Sequence, residues 1–113
     1  MSLDFQPGQI VSLEHGERNL YAEVIQVVVS RQLCWVRPLL LVTHAEEQSI
    51  ITDLRDGSDL LWPIHLFRHA LDTEVITLLG QILVKEPKSE PDPAAKQQLH
   101  QFIGQVWQAY QEE

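Results

Sequence analysis

Residues 20–29, Leu-Tyr-Ala-Glu-Val-Ile-Gln-Val-Val-Val, are largely apolar on both of their alternating faces. Tyr21, Ile25, Val27 and Val29, with Glu23 among them, point one way. Leu20, Ala22, Val24 and Val28 point the other. Their β-branched and aromatic content favours a strand, because such side chains fit a pleated, packed surface. A strand with two apolar faces must be covered on part of each side, so this segment is predicted to be long, twisted and buried. Whatever fold the chain adopts is built around it.

The neighbouring segments read as shorter strands. Residues 9–14 follow Gly8 and are separated from the long strand by a turn cluster at 15–19. Residues 33–42 follow a connection, Ser30-Arg31-Gln32, short enough to imply an antiparallel hairpin. Pro38 falls inside that strand and has no N–H for a ladder, so the strand must be at an edge, bent or bulged there. A kink of this kind is what a small closed barrel needs at its corners. Residues 49–54 and 59–62 flank Asp56-Gly57, a hairpin signal. Short strands joined mostly by short turns suggest a small barrel or sandwich.

Beyond Trp62-Pro63 the periodicity changes. Residues 64–70 read as a 3₁₀ or short helical turn. Leu71, Val75, Leu78, Leu79 and Ile82 recur at helical spacing, which predicts a helix over 73–83 with Asp72 or Thr73 as its cap and Glu74 in its first turn. Residues 85–93 are a Pro-and-charge linker. Asp92 is a strong N-cap and Pro93 suits the first helical position. The segment 94–113 then carries Leu99, Phe102, Ile103, Val106, Trp107 and Tyr110 as one apolar stripe with Gln and Glu opposite. The chain therefore divides into a body at 1–84, a linker and an amphipathic C-terminal helix.

Gly-x-x-Val-x-Leu from Gly8, Tyr-x-Glu-Val-Ile from Tyr21, Cys-Trp-Val-Arg-Pro-Leu-x-Leu from Cys34 and Leu-Trp-Pro from Leu61 together resemble an SH3-like barrel. In particular they resemble a set of small proteins of unknown function found in cyanobacteria. The resemblance spans residues 8–83 and implies a five-stranded SH3-like barrel followed by a helix. It carries no catalytic residue. Signalling SH3 domains present a run of tyrosines and an acidic loop to proline ligands. Here only Tyr21 and two tryptophans match, so that ligand site is not carried over.

Charge narrows the function. The 113 residues hold 8 Lys+Arg against 16 Asp+Glu, a net charge of −8, which disfavours nucleic-acid binding because phosphate contacts need clustered cations. An RNA-binding small barrel is thus a disfavoured alternative. The arginines (18, 31, 37, 55, 68) all precede the linker and the lysines (85, 88, 96) all follow residue 84, as expected if ordered guanidinium groups belong to the body. The single cysteine excludes an intramolecular disulfide and fits a reducing, cytoplasmic compartment. No apolar run approaches a membrane span, the first residues lack the pattern of a signal peptide, and the last helix has too few cations for a membrane surface.

Candidate chemistry is sparse. His65 and His69 stand i, i+4, a metal-ligand spacing if the segment is helical, with Asp72 near and Cys34 distant. The plainer reading is two surface histidines. Cys34 beside Trp35 reads as a small buried hydrophobe rather than a nucleophile. The acids Glu46, Glu47, Asp53, Asp56 and Asp59 read as solvated turn residues. No enzyme activity, metal or cofactor is therefore expected, and a small enzyme using His65, His69 and Cys34 is the alternative. Tyr21, Trp35, Arg37, Trp62 and Pro63 are of the types that dominate binding hot spots. If Trp35 and Trp62 share one face, they form an aromatic groove for a peptide. If instead they fill the core, no such groove exists. The terminal stripe either docks on the body or presents Phe102, Trp107 and Tyr110 to another protein or to a second copy of the chain. The expected function is a non-enzymatic protein-interaction or adaptor module.

Overall fold

The computed structural model describes residues 5–45, 49–55, 58–83 and 93–112. Six strands form one antiparallel sheet: β1 (Ile10–His15), β2 (Arg18–Val28), β3 (Leu33–His44), β4 (Ser49–Asp53), β5 (Leu60–Pro63) and β6 (Arg68–His69). Two helices follow, α1 (Asp72–Leu83) and α2 (Pro93–Glu112). The strand order is β4-β3-β2-β1-β6, with β5 also on β3. Among the described residues the ladder does not close, because no pairing joins β6 to β4 or β5. No helix among them is long and apolar enough to cross a membrane.

The hairpin between β1 and β2 turns on two residues, Gly16 and Glu17, and pairs His15 with Arg18. Gly16 takes a φ of 60°, which glycine adopts without a Cβ penalty at the first position of a two-residue hairpin turn. The antiparallel pairing of β2 with β3 is as expected from the short connection, whose residues Val29–Arg31 form a 3₁₀ turn.

Two irregularities bend the β2–β3 ladder. Tyr21 pairs Leu40 and Ala22 pairs Pro38, so Leu39 is an extra residue beside the proline. Its carbonyl accepts a hydrogen bond from the N–H of Leu54 at 2.9 Å. On the other strand Val24 pairs Val36 and Gln26 pairs Trp35, so Ile25 is the extra residue. A bulge inverts the facing of everything after it. Strict alternation would put Val27 with Tyr21; past the bulge it pairs Cys34 and packs on the side of Leu20, Ala22 and Val24.

The fourth and fifth strands correct a sequence expectation. Asp56-Gly57 itself lies outside the described residues, but β4 and β5, expected to pair with each other across it, each pair with β3 instead. β4 pairs the second half of β3, from Leu40 to His44, and β5 pairs its first half, from Leu33 to Val36. They lie end to end on one edge of the twelve-residue β3, which is long enough to template both. The sixth strand was not expected. Its two residues, Arg68 and His69, carry no alternation to read, and they are strand only because they pair Ser12 and Val11. The segment before it keeps its expected 3₁₀ turn, Ile64–Leu66.

Each face of the sheet has its own core. One contains Val11, Leu13, Leu20, Ala22, Val24, Cys34, Val36 and Leu41, and is closed by Ala95, Leu99, Phe102 and Val106 of α2. The other contains Tyr21, Leu40 and Val42 and is closed by Val75 of α1, with Leu78 beside it. This answers the constraint set by the long strand: both faces are apolar because each faces a helix. The helix expected at 73–83 begins at Asp72, with the Leu71 carbonyl accepting from Glu74 and Val75. Leu71 thus precedes the helix with its side chain exposed, outside the stripe it was expected to join. Residues 85–92, and with them the expected linker and Asp92 cap, lie outside the described residues, while Pro93 is the first residue of α2.

The C-terminal helix docks on its own chain. Phe102 is 0% exposed and is the largest fully buried side chain described. Burying Leu, Val or Phe from water stabilises by about 1.5–3 kcal/mol each, so α2 is part of the core rather than an appendage to it.

Candidate functional site

The stripe on α2 is wider than a single contact. At 100° per residue, Ala95, Leu99, Phe102 and Val106 form the buried rail, and Ile103, Trp107 and Tyr110 form a second rail to one side of it. Between this second rail and β5 lies an open groove of about 680 Å³, lined by Leu33, Trp62, Pro63, Ile103, Gly104 and Trp107. Trp107 is 43% exposed. The rings form a continuous path. Trp62 and Trp107 meet edge to face at 5.9 Å between centroids, Trp107 and Tyr110 lie 5.6 Å apart, and Tyr110 and His65 lie 5.5 Å apart. Gly104, which also lines the groove, is exposed, and a Cβ placed on it would meet nothing within 4 Å.

The structure separates the residues that sequence reasoning grouped. Trp62 pairs Cys34 on the core face covered by α2, whereas Trp35 pairs Leu61 on the opposite face. The aromatic groove expected from Trp35 and Trp62 together therefore does not form, since adjacent positions on β5 point to opposite sides of the sheet. Trp62 instead finds Trp107, and Phe102 leaves the expected binding set because it is buried.

Trp35, 39% exposed, stands in a small cluster of its own. Asp59 accepts from the indole Nε1–H at 3.0 Å and from the Arg37 Nε–H at 3.2 Å. The Arg37 hydrogen bond, aided by the indole, holds the Asp59 carboxyl below its usual range. The ion pair is exposed and contributes about 0–1 kcal/mol at most; its effect is to orient the indole. Asp59 lies 24 residues from Trp35, and no local signal marks the pairing.

Tyr21 is buried and polar at once. Its hydroxyl accepts from Asn19 Nδ2 at 3.0 Å and donates to Glu74 Oε1 at 2.8 Å. Asn19 Oδ1 accepts from the Ser12 hydroxyl, and Arg68 donates to Glu14 through Nε at 3.1 Å while reaching Glu74 at 3.5 Å. This chain of polar groups ties β1, β2, β6 and α1 together and takes Tyr21 away from any partner-facing surface. Burial above all, then the hydrogen bond to Glu74, pushes the phenol up to about 12.

The residues of the alternative chemistry do not converge. His65 is in the 3₁₀ turn and His69 in β6, so the i, i+4 spacing is not helical and the rings go separate ways, to Tyr110 and to Phe5. Among the described residues no three His, Cys, Asp or Glu side chains come together. Cys34 is fully buried, and burial pushes its thiol up, the reverse of what a nucleophile needs. A thiol reagent is expected to label Cys34 in the native protein at least tenfold more slowly than in urea, a ratio readable by mass spectrometry; equal rates would contradict the burial. In comparisons with known proteins, no family model, no curated protein and no solved structure matches this chain.

Proposed function

We propose that the chain is an SH3-like small barrel serving as a non-enzymatic protein-interaction module, and that the groove between β5 and α2 receives an extended apolar segment of another protein. The small-barrel reading is supported by the bent meander whose last short strand returns beside the first. The interaction reading is carried by one observation: Trp62, Trp107 and Tyr110 form a continuous aromatic surface along an open apolar groove. Aromatic side chains around a groove are the usual anchors of such sites. Among the described residues β5 pairs only β3, which leaves a strand edge beside the groove for an extended chain to follow.

The test is a peptide-display selection on the full chain, with tryptophan emission following each selected peptide. Wild type should select apolar, extended sequences. Trp107→Ala should weaken them more than tenfold, as hot-spot truncations worth about 2 kcal/mol or more do. Gly104→Gln should weaken them similarly while unfolding no more easily than wild type, because the added side chain enters open space and glutamine favours helix over glycine. Peptides that bind both variants as well as wild type would overturn the proposal. So would a concentration-dependent dimer whose contact is broken by Gly104→Gln, since the groove would then hold a second copy.

A further inference from the structure

The sheet face opposite α2 is only half covered. Val75 and Leu78 of α1 pack over Tyr21, Leu40 and Val42 at one end of β2 and β3. Toward the other end, Gln26, Trp35 and Leu61 form a row across β2, β3 and β5 on that same face. Trp35 and Leu61 join neither core and are 39% and 55% exposed. The charged groups of this half, Glu23 and the Arg37–Asp59 pair, stand on the row next to α1. From Glu23 to Val28 the bare half runs along β2 for about 15 Å, at a strand's rise of about 3.3 Å per residue. That is room for one helix, about 10–12 Å across.

The outward side of α1 is bare in turn. With Val75 and Leu78 turned to the sheet, helix geometry puts Thr73, Ile76, Thr77 and Gly80 on the far side. All four are exposed and none is charged, although the polar face of a surface helix ordinarily carries charge. Ile76 is 70% exposed. The Thr77 hydroxyl already donates to the Thr73 carbonyl at 3.0 Å, so it can leave water with its hydrogen bond made.

We propose that two copies of the chain associate through this face, the α1 of each lying on the bare half-sheet of the other. A two-fold axis running across the strands beside α1 makes both contacts at once, as an isologous interface requires. The surfaces select the occupant. Each copy has an uncharged helix face that needs a cover and an apolar half-sheet of helix width that can supply one. Its own α1 is already seated on the other half and cannot fill both. A partner with only one of the two surfaces leaves the other in water. The net charge of −8 on each copy opposes association, so the dimer is concentration-dependent and favoured where salt screens the repulsion.

The experiment is sedimentation equilibrium of the full chain in high salt, from micromolar to millimolar concentration. Wild type should pass from the mass of one chain to that of two. Ile76→Lys and Leu61→Glu, both at exposed positions, should keep the circular dichroism of wild type. Each should raise the dissociation constant more than tenfold, as the loss of a central apolar contact does. Mixed in equal amounts, the two variants should recover the dimer. The lysine on α1 of one then meets the glutamate on β5 of the other, and the second contact is wild type. Gly104→Gln, on the α2 side, should dimerise as wild type does. Wild type that stays one chain throughout, a dimer that survives either variant, a mixture that stays monomeric, or a dimer broken by Gly104→Gln would each overturn the assignment.

Discussion

Phe102→Ala is expected to destabilise the chain by about 3–5 kcal/mol, the range for deleting a phenylalanine from a packed core. The ring is fully buried, more completely than any other α2 side chain in the core cluster that the helix closes. Domains of this size have about 5–15 kcal/mol in total, so the variant should lose a substantial part of its margin and unfold at clearly lower urea than wild type. Trp107→Ala, on the next rail of the same helix, should move the urea midpoint far less, because that ring is largely outside the core. The pair separates two roles for α2. If both variants unfold alike, the helix is held by its whole stripe and the two-rail description fails. If Phe102→Ala leaves the midpoint unchanged, α2 does not close the core at all. The same logic predicts that deleting residues 85–113 yields an aggregating body rather than a folded one, since the sheet face holding Leu20, Leu41 and Val24 would lose its cover.

Most of the strands were readable because they are long and apolar. β2 and β3 carry their own pattern, and Pro38 announced the irregularity that appears as the extra Leu39. What could not be read was anything decided by pairing. Ile25 looks like any other strand residue, yet the bulge there sends Val27 to the opposite face. Asp56-Gly57 is a local turn signal, but β4 and β5 are positioned by the long edge of β3, which outcompetes a hairpin between them. β6 exists only by virtue of its partner. The candidate site followed the same division. The apolar stripe on α2 was plain, and the split into a buried rail and a groove-facing rail follows from helix geometry once one neighbour is known. That Trp62 would meet Trp107 rather than Trp35 depended on which side of β5 faces the helix, a fact set by register and by nothing local to Trp62.

Tyr21 yields the second large effect, and its sign depends on pH. Tyr21→Phe keeps the ring packed against Leu40, Val42 and Val75 but removes the hydroxyl shared by Asn19 and Glu74. Leaving buried polar partners short of a hydrogen bond costs about 1–3 kcal/mol, which is the expected loss at neutral pH. In wild type the phenol is held from its ordinary 10.0 up to about 12 by burial and by Glu74. Well below pH 10 the residue is protonated whether the chain is folded or not, and its contribution is constant. Between pH 10 and 12 the unfolded chain releases the proton first and so binds fewer protons than the folded one; stability then falls as pH rises. Phenylalanine has no proton to lose, so the stability gap between wild type and Tyr21→Phe should narrow over this window. Titrating groups common to both chains cancel in the difference. Urea unfolding of the two proteins at pH 8, 10 and 11 measures the gap directly. A gap that stays constant across the series would mean that Tyr21 ionises as freely in the folded chain as in the unfolded one, and that its hydroxyl is not enclosed between the sheet and α1.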